Sequence, residues 1–185
     1  MAWLIVLVIV LALGAWGIGA YNGLIRYRNY VEEGYSQIDV QLQRRNDLIP
    51  NLVNVVKGYA KHESETLDNV IKARQQLVQL PKDADPETVN ALSNELSGAL
   101  SRLMAVSEAY PDLKANTNFL NLQEELTSTE NKIGNARQFY NSSVTTYNNK
   151  LQVFPTNIIA KMLGFEKKAY LDIAPEARNV PVVEF

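Results

Sequence analysis

The stretch "RRNDLIPNLVNVVKGYAKHE", residues 44–63, decides how the whole chain is read. It has amphipathic helical spacing on both sides of Pro50. Yet a proline inside a helix removes one hydrogen bond and clashes with the preceding turn, at about 3 kcal/mol. Pro50 therefore ends one helix, kinks a longer one, or belongs to a site. The flanking residues favour the kink. Val31, Tyr35, Ile38, Leu42, Arg45, Ile49, Leu52, Val56 and Tyr59 follow one another at alternating spacings of four and three. That is the seam of a helix packed against neighbours. Its phase survives Pro50, and no glycine stands where a helix end would want one. The spacing predicts a kink, with the Asn46 carbonyl left to water or to a side chain. Gly58 and the polar "KHESE", residues 61–65, are the better place for a break, although the phase runs on through Glu63, Thr66, Val70, Ala73, Leu77 and Leu80.

Towards the N-terminus the composition changes abruptly. "AWLIVLVIVLALGAWGIGAY", Ala2 to Tyr21, carries no charge, and the first charged side chain is Arg26. At 1.5 Å per residue such a stretch spans roughly 30 Å, the hydrocarbon thickness of a bilayer. A cleaved signal peptide would want a basic leader and a shorter apolar core, so cleavage after Gly19 or Ala20 is the lesser reading. With no cysteine in the chain, a lipid anchor through a lipobox has no attachment point. Arg26 and Arg28 follow the span, and positive residues stay in the cytoplasm. A cytoplasmic bundle is expected, the alternative being a bundle exported on an uncleaved anchor.

Towards the C-terminus the helical signal continues. "LPKDADPETV", residues 80–89, is a turn with two prolines and two aspartates, followed by a stripe of Val89, Leu92, Leu96, Ala99, Leu103, Val106 and Tyr110. Pro111 marks another break or kink. Phe119, Leu122, Leu126, Ile133, Ala136, Tyr140 and Tyr147 then form a long stripe. "FPTNIIAKMLGF" is a short amphipathic helix stopped at Gly164. The tail "LDIAPEARNVPVVEF" has two prolines and no helical pattern, so it reads as extended. Nothing alternates with period two. The fold class is all-α: long amphipathic helices with short connections make an antiparallel up-and-down bundle.

The chemistry in the sequence is sparse. With no cysteine and one histidine, there is no thiolate nucleophile and no two-histidine metal motif. "HESE", residues 62–65, would need a second histidine at 66, where threonine stands. A net charge of −2 argues against a nucleic-acid partner. No cofactor and no catalytic activity are expected. The anomaly is Arg45, which takes an apolar position in the first stripe. A buried charge must be paired, and Glu130, Arg137 and Asp47 are the candidates for a polar layer with it. Such a layer fixes register or forms a ligand or switch site between helices. Tyr21, Tyr27 and Tyr30 suit the headgroup region, whereas Tyr35, Tyr59, Tyr110, Tyr140 and Tyr147 fall on the packing stripes. Ala15, Gly19 and Gly23 recur every fourth residue, a small-residue ridge suited to transmembrane association, which Gly14 and Gly17 widen. Ile158, Ile159, Met162 and Leu163 give the last helix an apolar surface for a membrane or a partner.

Taken as a set, "RNYVEEGYSQIDVQLQRRNDLIPNLVNVVKGYAKHE", "YPDLKANTNFLNLQEELTSTENKIGNARQFYNSSVTTYN" and "FPTNIIAKMLGF" resemble the bacterial LemA family over about residues 21–165. The resemblance implies a membrane-anchored, elongated four-helix bundle with no established reaction. A magnetosome-formation protein resembles the same family, which makes membrane organisation a candidate role. Family members are often encoded near membrane proteins with a TPM domain or near membrane proteases, candidate partners by that association.

The expected organisation is a transmembrane anchor at 1–22, a helical bundle at 23–152, a short amphipathic helix at 153–165 and an extended tail at 166–185. The expected function is a single-pass scaffold in the bacterial inner membrane, in contact with the lipid bilayer, that self-associates as a homo-oligomer or recruits other membrane proteins. The alternative is an adaptor or sensor that binds a ligand or peptide through the polar layer or the tail.

Overall fold

The computed structural model describes residues 1–81 and 83–172. Its regular structure is α1 (Ala2–Tyr59), α2 (Ser64–Val78), α3 (Pro86–Ser107), α4 (Pro111–Lys114), α5 (Thr117–Gln152) and α6 (Thr156–Met162), and there is no strand among the described residues. Residues 166–172 have no regular secondary structure, and the rest of the expected extended tail, 173–185, lies outside the described residues.

Each boundary has a local cause. Pro50 lies inside α1 and terminates nothing. The Asn46 carbonyl, which a residue-50 N–H would otherwise fill, accepts instead from Arg74 Nε at 2.8 Å. α1 ends one residue beyond Gly58, and α2 begins at Ser64. The apolar phase crosses that break because four intervening residues equal about one helical turn. Asp85 caps α3 by accepting from the Glu87 and Thr88 amides, with Pro86 in the first turn. Asn116 does the same for α5, its Oδ1 accepting from Phe119 N at 3.0 Å. α6 stops at Gly164, whose φ of 69° favours glycine, and Phe165 N donates to Ala160 O at 3.0 Å beyond it.

The chain divides into two compact units. The first joins Met1–Ser36 to Gln138–Tyr170; the second joins Gln37–Arg137 to Leu171–Phe185, of which Leu171 and Asp172 are described. In the second unit the core is shared by Ile49, Leu52 and Val56 of α1, Leu67 and Val70 of α2, Leu96 and Leu103 of α3, Leu113 of α4, and Phe119 and Leu126 of α5. Complete burial of a leucine or isoleucine such as Leu52 or Ile49 contributes about 1.5–3 kcal/mol.

α3 departs from its apolar stripe. Its buried face is Asn90, Ser93, Leu96, Leu100, Leu103 and Ser107, displaced by about one residue from Val89, Leu92 and Ala99, which are only half-buried. The displacement has a polar cause. Ser93 faces the guanidinium groups of Arg45 and Arg137, and Asn90 Nδ2 donates to the Asp172 carbonyl at 3.0 Å.

In the first unit Leu24 and Val31 of α1, Tyr140, Val144, Tyr147 and Leu151 of α5, and Ala160 of α6 are buried. Gly34 allows the two long helices to touch there: a Cβ at that position would stand 3.0 Å from the Tyr140 Cα. The rings of Tyr35 and Tyr140 meet edge-on at 6.2 Å. Beyond α6 the backbone is fastened to α5. Asn148 donates through Nδ2 to Lys168 O at 2.9 Å and accepts through Oδ1 from Lys168 N at 3.0 Å. The Tyr140 hydroxyl donates to Ala169 O at 3.1 Å.

Candidate functional site

A charge layer lies in the second unit. Arg45 is 0% exposed although it sits in the apolar seam of α1. Its NH1 donates to Glu130 Oε1 at 2.6 Å and to Ser97 Oγ at 2.9 Å, and its NH2 donates to Ser93 Oγ at 3.0 Å. Ser97 Oγ also donates to Glu130 Oε1 at 2.9 Å, so the carboxylate is held from two helices. Arg137, one α5 turn pair beyond Glu130, donates to Asn94 Oδ1 at 2.9 Å and to Ser93 Oγ at 2.8 Å. Ser93 thus receives two guanidinium groups at once. Burial pushes the Arg137 guanidinium below its ordinary pKa, the Arg45 charge lowers it further, and Glu130 opposes both.

Among the described residues the layer is unbalanced: two cations face one carboxylate that is 37% exposed. Arg45 Nε and Arg137 Nε are both buried without a hydrogen-bond partner. The structure brings together Arg45, Glu130 and Arg137. Asp47, the other candidate for the layer, is exposed and is none of the groups that Arg45 contacts; on the helix it sits two residues from Arg45 and so faces away. Ser93, Asn94 and Ser97 complete the layer and were not legible as part of it. Their signal was a polar set at spacings of three and four from Asn90, beside the leucines of α3. Pro50 is exposed.

The apolar end of α1 lies in the first unit. α1 is long and apolar enough near its N-terminus to cross a membrane, and that stretch is not buried in the protein, unlike a core helix. Its ridge residues Ala15 and Gly19 are exposed, Gly23 is half-buried, and a Cβ at Gly19 or Gly23 would meet nothing within 4 Å. Gly17 does not widen this ridge. It lies about 160° around the helix from Gly19 at 3.6 residues per turn, where its Cβ would meet Ile159 Cδ1 at 4.0 Å.

The apolar set on α6 therefore divides. Ile159 turns to α1, while Ile158, Met162 and Leu163 are exposed, together with Val153 and Phe154 just before the helix. Phe165 packs edge-on against Tyr21 at 6.0 Å, and the Arg28 guanidinium lies 5.9 Å from the same ring. Tyr27 meets Tyr30 at 6.4 Å and Lys150 at 5.7 Å. Of the tyrosines expected in the core, Tyr140 and Tyr147 are buried, Tyr35 and Tyr110 half-buried, and Tyr59 exposed. The last two mark connections: Tyr59 Oη accepts from Asn116 Nδ2 at 3.0 Å, and Tyr110 Oη donates to Glu63 Oε1 at 3.1 Å.

Comparison with known proteins agrees with the motifs. The sequence pattern of the LemA family matches residues 34–185. A protein named LemA from Metamycoplasma hominis is 28% identical over 165 residues, covering 89% of this chain and 74% of that protein. Magnetosome protein MamQ 2 of Paramagnetospirillum magneticum and magnetosome protein MamQ of Magnetospirillum gryphiswaldense are each 25% identical, covering 88% of this chain and 68% of the relative.

Proposed function

We propose that this chain, which belongs to the LemA family, is a single-pass membrane scaffold that self-associates and gathers other membrane proteins around it, without catalysing a reaction. The observation that carries the reading is α1 itself. One uninterrupted helix begins as an unburied apolar span and continues as a core element of the helical part. A chain built this way transmits position from the bilayer to a protein surface. The magnetosome proteins MamQ are similar along most of this chain, which supports a part in organising membranes.

The reading includes an antiparallel four-helix arrangement. Pairings in opposite sequence order support it inside each unit: Gly34 with Tyr140 and Tyr27 with Lys150 in one, Arg45 with Glu130 and Tyr59 with Asn116 in the other. In this reading the helical part is cytoplasmic, an orientation that Arg26 and Arg28 support through the charge rule. The ridge of Ala15, Gly19 and Gly23 is the self-association surface. Partners with a TPM domain and membrane proteases are the heterologous candidates.

The chain has no cysteine, so Gly19→Cys introduces a sole thiol. Mild oxidation of native membranes should give a disulfide-linked dimer, and Val10→Cys or Ile18→Cys, on other faces of the helix, should give less. Equal crosslinking at all three positions, or none, contradicts the ridge.

A second reading rests on the charge layer. Its two guanidinium groups, whose Nε atoms have no partner among the described residues, suit an anionic ligand that enters between the helices, as an adaptor or sensor would require. Isothermal titration of the detergent-solubilised chain with small carboxylates and phosphate tests it. Heat that disappears in Arg137→Met supports the reading; no heat with any anion removes it.

A further inference from the structure

We propose that Val153, Phe154, Ile158, Met162 and Leu163 form a second membrane contact, seated in the bilayer interface beside the span, with lipid as the occupant. The inference rests on α1 being the membrane span and adds to it a surface that no sequence comparison assigns.

Depth carries the argument. Ile159, on the inner side of α6, reaches α1 at Gly17, and Phe165, just after α6, reaches it at Tyr21. Gly17 lies four residues inside Tyr21, the end of the apolar stretch that begins at Ala2, about 6 Å along the axis at 1.5 Å per residue. A helix held at that level cannot stand clear of a bilayer that α1 crosses. It must lie where acyl chains meet headgroups, the depth at which interfacial amphipathic helices settle.

The side chains match that environment. Phe154 and Met162 are 76% and 75% exposed, and Val153, Ile158 and Leu163 are exposed beside them. Five large apolar side chains left in water on so short a segment would be an unusual patch for a soluble face. Lys161, on the same helix, and Arg28, whose guanidinium lies 5.9 Å from the Phe165 ring, carry cations suited to headgroup phosphates. Tyr21, packed against Phe165, brings an amphipathic ring to the same level. Seven residues are too few to bind a membrane unaided. Here the span fixes the depth, and the apolar residues need only fill the place where they are held.

The test is depth-resolved quenching on the full chain, reconstituted as single copies in lipid nanodiscs. Met162→Cys and, separately, Phe154→Cys carry an environment-sensitive fluorophore; Ile9→Cys marks the span and Ser101→Cys the exposed surface of α3. Lipids with a nitroxide high on the acyl chain should quench labels at 154 and 162 several-fold more than at 101, and lipids quenched at the acyl terminus should act on 9 instead. If 9 is quenched but 154 and 162 match 101, the interfacial seat is overturned and the anchor stands. If 9 is not quenched, both are overturned. Protection of 154 and 162 only when several copies share a disc, without lipid quenching, would make the surface a protein interface and also overturn the proposal.

Discussion

The Nε of Arg74 donates a 2.8 Å hydrogen bond to the carbonyl oxygen of Asn46, the acceptor that Pro50 leaves without an intrahelical donor. A helix tolerates an interior proline when a neighbour fills the vacated carbonyl. Here α2 supplies that neighbour. Pro50 is therefore compatible with an unbroken α1 and gives α2 a fixed point of attachment to it.

The consequence is a coupling between positions 50 and 74. Pro50→Ala restores the missing amide and should keep the fold, raising stability by up to about 3 kcal/mol. Arg74→Met should cost about 1 kcal/mol in the parent chain and less once Pro50→Ala is present. Thermal or denaturant unfolding followed by circular dichroism gives the cycle. Additive effects would mean that the Arg74 bond does not stand in for the lost amide.

Glu130 neutralises a cation that is shut off from solvent. Glu130→Leu should destabilise by about 2–4 kcal/mol, because Arg45 would be left buried and unpaired. Arg45→Met in the same chain should recover much of that loss, while Asp47→Asn should change little. Denaturant midpoints of the three variants check it; equal losses in Glu130→Leu and in the double variant would deny the coupling.

Two glycines inside long helices should respond oppositely to alanine. At Gly134 a Cβ meets nothing within 4 Å, so Gly134→Ala should gain about 0.5–1 kcal/mol from helix propensity. At Gly34 the same methyl meets the Tyr140 backbone, and overpacking at about 1–3 kcal/mol outweighs that gain. Gly34→Val should be worse still. Melting curves that rise for both alanine variants would show that the helices have room to separate.

Much of the helical fold was legible in the sequence. Arg45 stood out because a charge occupied an apolar position, and a charge can be buried only with a counter-charge; that logic led to Glu130 on a helix distant in sequence. The α1 break near Gly58 and the start of α3 at Pro86 followed from turn chemistry. The buried face of α3 did not. Stripe counting ranks Leu92 above Ser93, but Ser93 is buried because two guanidinium groups need its oxygen, a demand set by α1 and α5. Gly34 escaped notice because close approach depends on the opposing helix. Asp47, the other candidate for the layer, stands two residues from Arg45, which on a helix puts it on a different face.

The proposed cytoplasmic orientation rests on Arg26 and Arg28 and the charge rule. A reporter active only in the cytoplasm, fused after Phe185, should be active, and an export-dependent reporter at the same place should be silent. The reverse pattern would move the helical part across the membrane and put the exported arrangement in its place.

Self-association at the membrane is the centre of the account, and mass measures it most directly. Light scattering of the full chain in mild detergent, with the detergent contribution subtracted, should give a multiple of the single-chain mass, and the pair Gly19→Leu with Gly23→Leu should lower it. A parent chain that is monomeric across detergents and concentrations would contradict the scaffold reading, and an oligomer indifferent to both substitutions would take the ridge out of it.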